Sequence, residues 1–191
     1  MDQTFAIVFG SIFVSNIVLA QFLGICSFLG VSKDIKSSLG MGAAVTFVMV
    51  LSSALTWVIY TFALAPLGLG YMSTIAFILA IASLVQIVEM YMKKYMPTMH
   101  KSMGVYLPLI TTNCAILGIT LLNLQKEFTF FLAILNGAAN AIAYTLAMVL
   151  IAGLRERLAD AEPPEAMKGL PLLLVVASSM AIAFMGFSGV I

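Results

Sequence analysis

Five runs free of Asp, Glu, Lys and Arg dominate this chain: 3–32, 37–88, 102–125, 128–154 and 169–191. A helix needs about 20 apolar residues to cross the hydrocarbon core of a bilayer. The run 37–88 is long enough for two crossings and is punctuated by Pro66-Leu67-Gly68-Leu69-Gly70. Only 9% of the residues are charged and 62% are hydrophobic, against about 25% charged in soluble domains. No soluble fold of this length hides so much apolar side chain. The expectation is an all-α integral membrane protein, a single membrane domain over 1–191, with six transmembrane helices near 5–30, 40–62, 72–93, 103–123, 129–153 and 170–188. A strand-built barrel would need short alternating segments, which are absent. The first span follows Met1-Asp2 with no basic region or clear cleavage site, so it is expected to be retained.

Loop charges orient the spans. Assigning loops alternately puts Lys33, Lys36, Lys93, Lys94, Lys101, Arg155, Arg157 and Lys168 on one side and Lys126 alone on the other. The positive-inside rule then places both termini outside and the three basic loops in the cytoplasm. The near balance of 9 basic and 8 acidic residues leaves no polyanion-binding surface, so the bilayer and not nucleic acid is the expected surroundings. The longest polar stretch, Arg155 to Lys168, is short and contains Pro163-Pro164. A nucleotide or large soluble cofactor would have to be held by other subunits.

The two cysteines share one local frame. Cys26-Ser27-Phe28-Leu29-Gly30 and Cys114-Ala115-Ile116-Leu117-Gly118 lie 88 positions apart, three spans from each other. An odd number of spans reverses the direction of entry. Two inverted three-helix repeats follow, about 1–98 and 99–191, related by a pseudo-two-fold axis in the membrane plane. Both cysteine segments also read as interrupted. The first stretch, 5–31, would run about 40 Å as one helix, beyond a core of about 30 Å, and Gly24 is the expected break. The fourth carries Pro108 and then Thr111-Thr112-Asn113 directly before Cys114. Irregular backbone at membrane depth persists only where protein or a polar cavity surrounds it.

Three roles are open to the cysteines. They could be small apolar core residues, a disulfide, or metal ligands. The matched frame and polar neighbours favour ligation. Zinc or an iron–sulfur cluster wants four ligands, and the chain has two Cys and one His. His100 stands beside Lys101 in a basic loop and reads as solvent-exposed. The missing thiolates would come from a partner with the same cysteine arrangement.

The stretches Phe22-Leu23-Gly24-Ile25-Cys26-Ser27-Phe28-Leu29-Gly30 and Leu107-Pro108-Leu109-Ile110-Thr111-Thr112-Asn113-Cys114 resemble the two signatures of the Rnf/Nqr small membrane subunits. So do Gln86-Ile87-Val88-Glu89-Met90, Gly153-Leu154-Arg155-Glu156-Arg157 and the ending Ala183-Phe184-Met185-Gly186-Phe187. The resemblance spans the whole chain, and within the family it is strongest to A-type members of Rnf complexes. It implies a membrane electron relay in an ion-translocating ferredoxin:NAD oxidoreductase of a bacterial or archaeal cytoplasmic membrane. It implies a [2Fe–2S] cluster shared with a paralogous E-type member, to which this chain gives Cys26 and Cys114. Further members of the complex, of types B, C, D and G, would carry FMN, other Fe–S clusters and the NAD site. No complete catalytic site is expected in this chain alone.

Reducing a buried cluster adds charge in a low-dielectric medium, which a nearby cation would offset. Na⁺ or H⁺ coupling is therefore expected near Asn113, Thr111, Thr112, Asn16 and Gln21, with ordinary interhelical hydrogen bonding as the plainer role for each. Glu89 is either an ion-path carboxylate or the partner of Lys93 at i+4. Arg155, Glu156 and Arg157 are expected to set topology or bind a partner. Gly40/Ala44, Ala76/Ala80 and Gly137/Ala141 suit close helix packing, and Trp57 reads as a packing residue. The rival functions are an inverted-repeat secondary transporter, the equivalent subunit of a sodium-pumping NADH:quinone oxidoreductase, and a scaffold with inert thiols.

Overall fold

The computed structural model describes residues 8–14, 16–32, 34–68, 70–95, 107–159, 164 and 169–187. Lys33, His100, Lys101 and Lys168 lie outside the described residues. The regular elements among the described residues are all helical, with no strand among them. In chain order come a π turn at Gly10–Val14, α1 (Ile25–Val31), α2 (Ile35–Ile59), α3 (Ser73–Tyr95), α4 (Leu107–Thr111), α5 (Cys114–Gln125), α6 (Phe130–Ala159) and α7 (Leu170–Met185). Helical stretches Ile35–Leu64, Gly70–Tyr91, Pro108–Gln125 and Phe130–Leu158 are long and apolar enough to cross a membrane, and Leu170–Met185 is a shorter apolar helix. The chain is thus a multi-pass membrane protein by its helices.

The stretch expected to form a first span is not one helix. It comprises the π turn, a capped turn at 17–21, two residues of positive φ and then the seven residues of α1. The expected second span ends as its sequence requires. Pro66 lacks an N–H and crowds the carbonyl four residues earlier. A π turn at Tyr60–Leu64 precedes it, and a last short turn at Ala65–Leu67 follows.

The chain divides into two compact units. The first takes residues 1–43 and 139–191, the second 44–138. The first unit buries Ile17, Phe28, Val31, Met41, Tyr144, Met148 and Ile151. The second buries Val45, Met49, Phe77, Ile81, Val85, Ile116 and Ile119. Within the second, a Cβ on Gly137 would stand 2.6 Å from Ser53 Oγ, so only glycine allows that approach. Gly40, by contrast, has nothing among the described residues within 4 Å of such a Cβ.

These units are not the consecutive segments 1–98 and 99–191. Each draws on both segments and holds one cysteine. Shifting by the 88 positions between the cysteines carries 1–43 onto 89–131 and 139–191 onto 51–103, all within the second unit.

Candidate functional site

Each cysteine begins or nearly begins a helix that resumes after a break. In the first unit, Phe22 takes φ 55° and Gly24 φ 85°. The left-handed region costs a residue with a Cβ about 1–2 kcal/mol, so Gly24 is the cheaper of the two. Asn16, 1% exposed, holds the turn before them. Its Oδ1 accepts from Val18 N–H at 3.1 Å, and its Nδ2 donates to Ala143 O on α6 at 3.1 Å. Backbone bonds Ala20 N to Asn16 O (2.8 Å) and Leu23 N to Ile17 O (3.1 Å) satisfy freed groups, as a low-dielectric setting demands.

α1 then starts at Ile25 with Cys26 in its first turn, exposed. Its neighbour Ser27 is fully buried. Ser27 Oγ donates to Gly24 O at 2.9 Å and accepts from Tyr144 OH at 2.7 Å. At the other end of α1, Arg155 Nη1 donates to Leu29 O and to Ser32 Oγ, both at 3.2 Å. A cation on the last carbonyls suits the negative end of a helix. Arg155 therefore has a structural task inside its unit, besides any part in topology.

In the second unit the break is shorter and its stitching local. α4 carries Pro108 near its start. Thr112 N–H and Thr112 Oγ1 both donate to Pro108 O, at 3.1 and 3.0 Å. Asn113 leaves the helix at φ −71°, ψ 114° and caps α5, its Oδ1 accepting from Ala115 N–H at 3.0 Å. Asparagine is among the best N-cap residues for this reason. Cys114 follows as the first residue of α5 and is half-buried. Asn113 is only 3% exposed, and its Nδ2 has no hydrogen-bond partner among the described residues. Thr111, Thr112, Asn113 and Cys114 line a cavity of about 260 Å³ with Ile78 and Ile81 of α3.

The other expected site residues fall elsewhere. Gln21 is exposed beside the first break. Glu89 is half-buried on α3 and does not line the Cys114 cavity. Among the described residues no ion pair joins it to Lys93. Trp57 packs: its Nε1 donates to Phe128 O at 3.0 Å and its ring meets Phe130 edge-on at 5.2 Å. Neither cysteine is in a disulfide. Among the described residues no three His, Cys, Asp or Glu side chains come together as a metal site.

A larger cavity, about 400 Å³, lies within the second unit, and the sequence did not point to it. Ser53 and Thr56 from α2, Thr120 and Asn123 from α5, and Glu127 beyond α5 line it. Ser53/Thr56 and Thr120/Asn123, each at i, i+3, were the available signal, since such spacings share a helix face.

The family described as Rnf-Nqr subunit, membrane protein, matches residues 4–191. The A-type member of the Na⁺-translocating ferredoxin:NAD⁺ oxidoreductase complex of Acetobacterium woodii is 57% identical over 183 residues, 96% of this chain and 95% of that protein. The A-type member of the ion-translocating oxidoreductase complex of Syntrophotalea carbinolica is 50% identical over 191 residues, 100% of this chain and 99% of that protein. The corresponding protein of Serratia proteamaculans is 47% identical with the same coverage.

Proposed function

Because this chain belongs to the Rnf-Nqr family of membrane subunits, we propose that it is the A-type electron-relay member of an ion-translocating ferredoxin:NAD oxidoreductase. The carrying observation is the pair of interrupted segments, each delivering one cysteine to the first turn of a resumed helix. Cys26 and Cys114 each give one thiolate to a [2Fe–2S] cluster, and a paralogous E-type partner gives the other two. The chemistry of the residues fits that group. Two thiols are half of a four-thiolate set. A buried amide donor without a partner adjoins Cys114.

When bound, the cluster supplies a one-electron carrier within the membrane. The chain's own part is to hold two thiolates on backbone that lipid would not tolerate. Gly24, Asn16 and Arg155 do this for one thiolate, and Pro108 and Asn113 for the other. The inverted six-span arrangement with both termini outside belongs to this reading. Its support is the 88-position shift that carries the segments of one unit into the other. The B-, C-, D- and G-type members of the complex hold FMN, the remaining clusters and the NAD site, in or at the cytoplasmic membrane.

Ion coupling belongs to the same proposal. Thr111 and Thr112 line the cavity beside Cys114, and a hydroxyl that donates to a carbonyl, as Thr112 does, keeps acceptor lone pairs for Na⁺ or water. Gln21 stands exposed by the other break and Glu89 is the acidic candidate on α3. Asn16 and Asn113 shape the breaks through capping bonds to their side-chain oxygens, each of which keeps a second lone pair for an ion or water.

The test is the chain purified with its E-type partner. Iron and acid-labile sulfide in equal amounts, with a visible absorption band, are expected. A colourless, iron-free pair that still binds or moves a small solute would favour a secondary transporter. An iron-free pair without such activity would leave a scaffold.

A further inference from the structure

Asn113 stands directly before Cys114, and its amide is engaged at one end only. The capping bond fixes which end. Ala115 N–H requires an acceptor, so the oxygen faces it and the nitrogen is the atom left over. Among the described residues that nitrogen has no hydrogen-bond partner, and it is buried on a residue 3% exposed. A buried donor left unpaired is costly, and native structures nearly always pair such groups. The cavity that Asn113 lines together with Cys114 is otherwise walled by Thr111 and Thr112 and by the apolar Ile78, Ile81, Ala82 and Leu117. An N–H donor calls for a hydrogen-bond acceptor, and one carrying negative charge binds it most strongly.

Asn16 provides the contrast within the chain. It is as deeply buried, yet both ends of its amide are engaged, by Val18 N–H and Ala143 O. The spare donor is a property of the Cys114 side.

Resting on the reading of Cys114 as a cluster ligand, we infer that Asn113 Nδ2 donates a hydrogen bond to a sulfur of the [2Fe–2S] cluster and raises its reduction potential. Reduction adds an electron whose charge spreads onto the sulfurs. A fixed donor stabilises that state more than the oxidised one, and hydrogen bonds to sulfur are a recognised control on cluster potential. Asn113 is a positioning and tuning residue here, acting on the cluster and supplying no ligand.

The experiment uses the intact membrane complex carrying Asn113→Gly. Glycine is tolerated at a helix N-cap and removes the donor. Three quantities are read: iron content, the cluster midpoint by EPR-monitored titration, and exchangeable-proton coupling to the reduced cluster in H₂O against D₂O. The expected result is unchanged iron, loss of one exchangeable-proton coupling, and a midpoint shifted negative by about tenfold in the reduction equilibrium, about 59 mV for one electron. Asn113→Asp, which keeps a capping oxygen and has no N–H to donate, reads the loss of the exchangeable-proton coupling if the glycine variant does not assemble. Midpoint and coupling both identical to the parent would overturn the inference. Cys114→Ala measured alongside separates the two levels. If it loses the cluster while Asn113→Gly changes nothing, the inference alone fails. If it keeps the cluster, the ligand reading fails and the inference with it.

Discussion

The two cysteine segments reach a similar local arrangement by different means. The Cys26 segment is held from far along the chain. Ala143, Tyr144 and Arg155, all on α6, bond to Asn16, Ser27, Leu29 and Ser32, with sequence separations of 117 to 127. The hydrogen bonds that shape the Cys114 break run within its own sequence, while α4 and α5 pack on α3. Pro108, Thr112, Asn113 and Ala115 bond to one another across no more than four residues. One break is a tertiary construction and the other a local one. The stability of the first should therefore depend on α6, and that of the second on its cap.

Topology is the largest way to break this comparison, since its effect is all or none. If the segments are inverted repeats, reporter fusions after Val31, Met99 and Asp160 report cytoplasm. Fusions after Leu69 and Gln125 report the outside. The opposite pattern would indicate the E-type orientation, and a mixed pattern would end the inverted-repeat reading.

Next in size is Tyr144, fully buried with its hydroxyl on Ser27. Tyr144→Ala opens a cavity and should destabilise by about 3–5 kcal/mol, as for other large aromatic truncations. Tyr144→Phe leaves the ring and costs about 1 kcal/mol for the lost hydrogen bond. Thermal unfolding in detergent checks both. Equal losses would mean that the ring's packing contributes nothing beyond the hydroxyl.

Arg155→Ala should cost about 1.5–3 kcal/mol, the range for hydrogen bonds to a charged group. Hydrogen exchange locates the effect: faster at residues 25–32, unchanged at 114–125. Exchange rising equally in both segments would erase the distinction between tertiary and local support. The smallest effect is the cap itself. Asn113→Ala should cost about 1 kcal/mol and speed exchange in the first turn of α5 while leaving α1 untouched. Asn113→Ser should restore most of that loss, and a serine variant as weak as alanine would remove capping as the reason for Asn113.

The same contrast explains what could be read from the amino acids. Pro108 and Thr111-Thr112-Asn113 announced the second break because its cause is local: a missing N–H, then a strong N-cap residue. Gly24 announced only part of the first. The break opens at Asn16 and includes Phe22 at φ 55°, a conformation that phenylalanine does not signal. Arg155 looked like a topology charge because its acceptors, Leu29 O and Ser32 Oγ, are brought to it by the fold. The apolar runs located α2, α3, α6 and α7 because bilayer length is written in composition. Small size permits close packing but does not say which neighbour arrives, and Gly137 against Ser53 shows a case where one does.

The central claim is that two differently built segments deliver equivalent ligands. EPR spin quantification of the reduced pair, this chain with its E-type partner, tests it most directly, in Cys26→Ala and Cys114→Ala measured against the parent. Loss of the [2Fe–2S] signal in both variants, with the pair still assembled, is the expected result. A full-strength signal in either variant would show that its cysteine is not a ligand and would contradict the account.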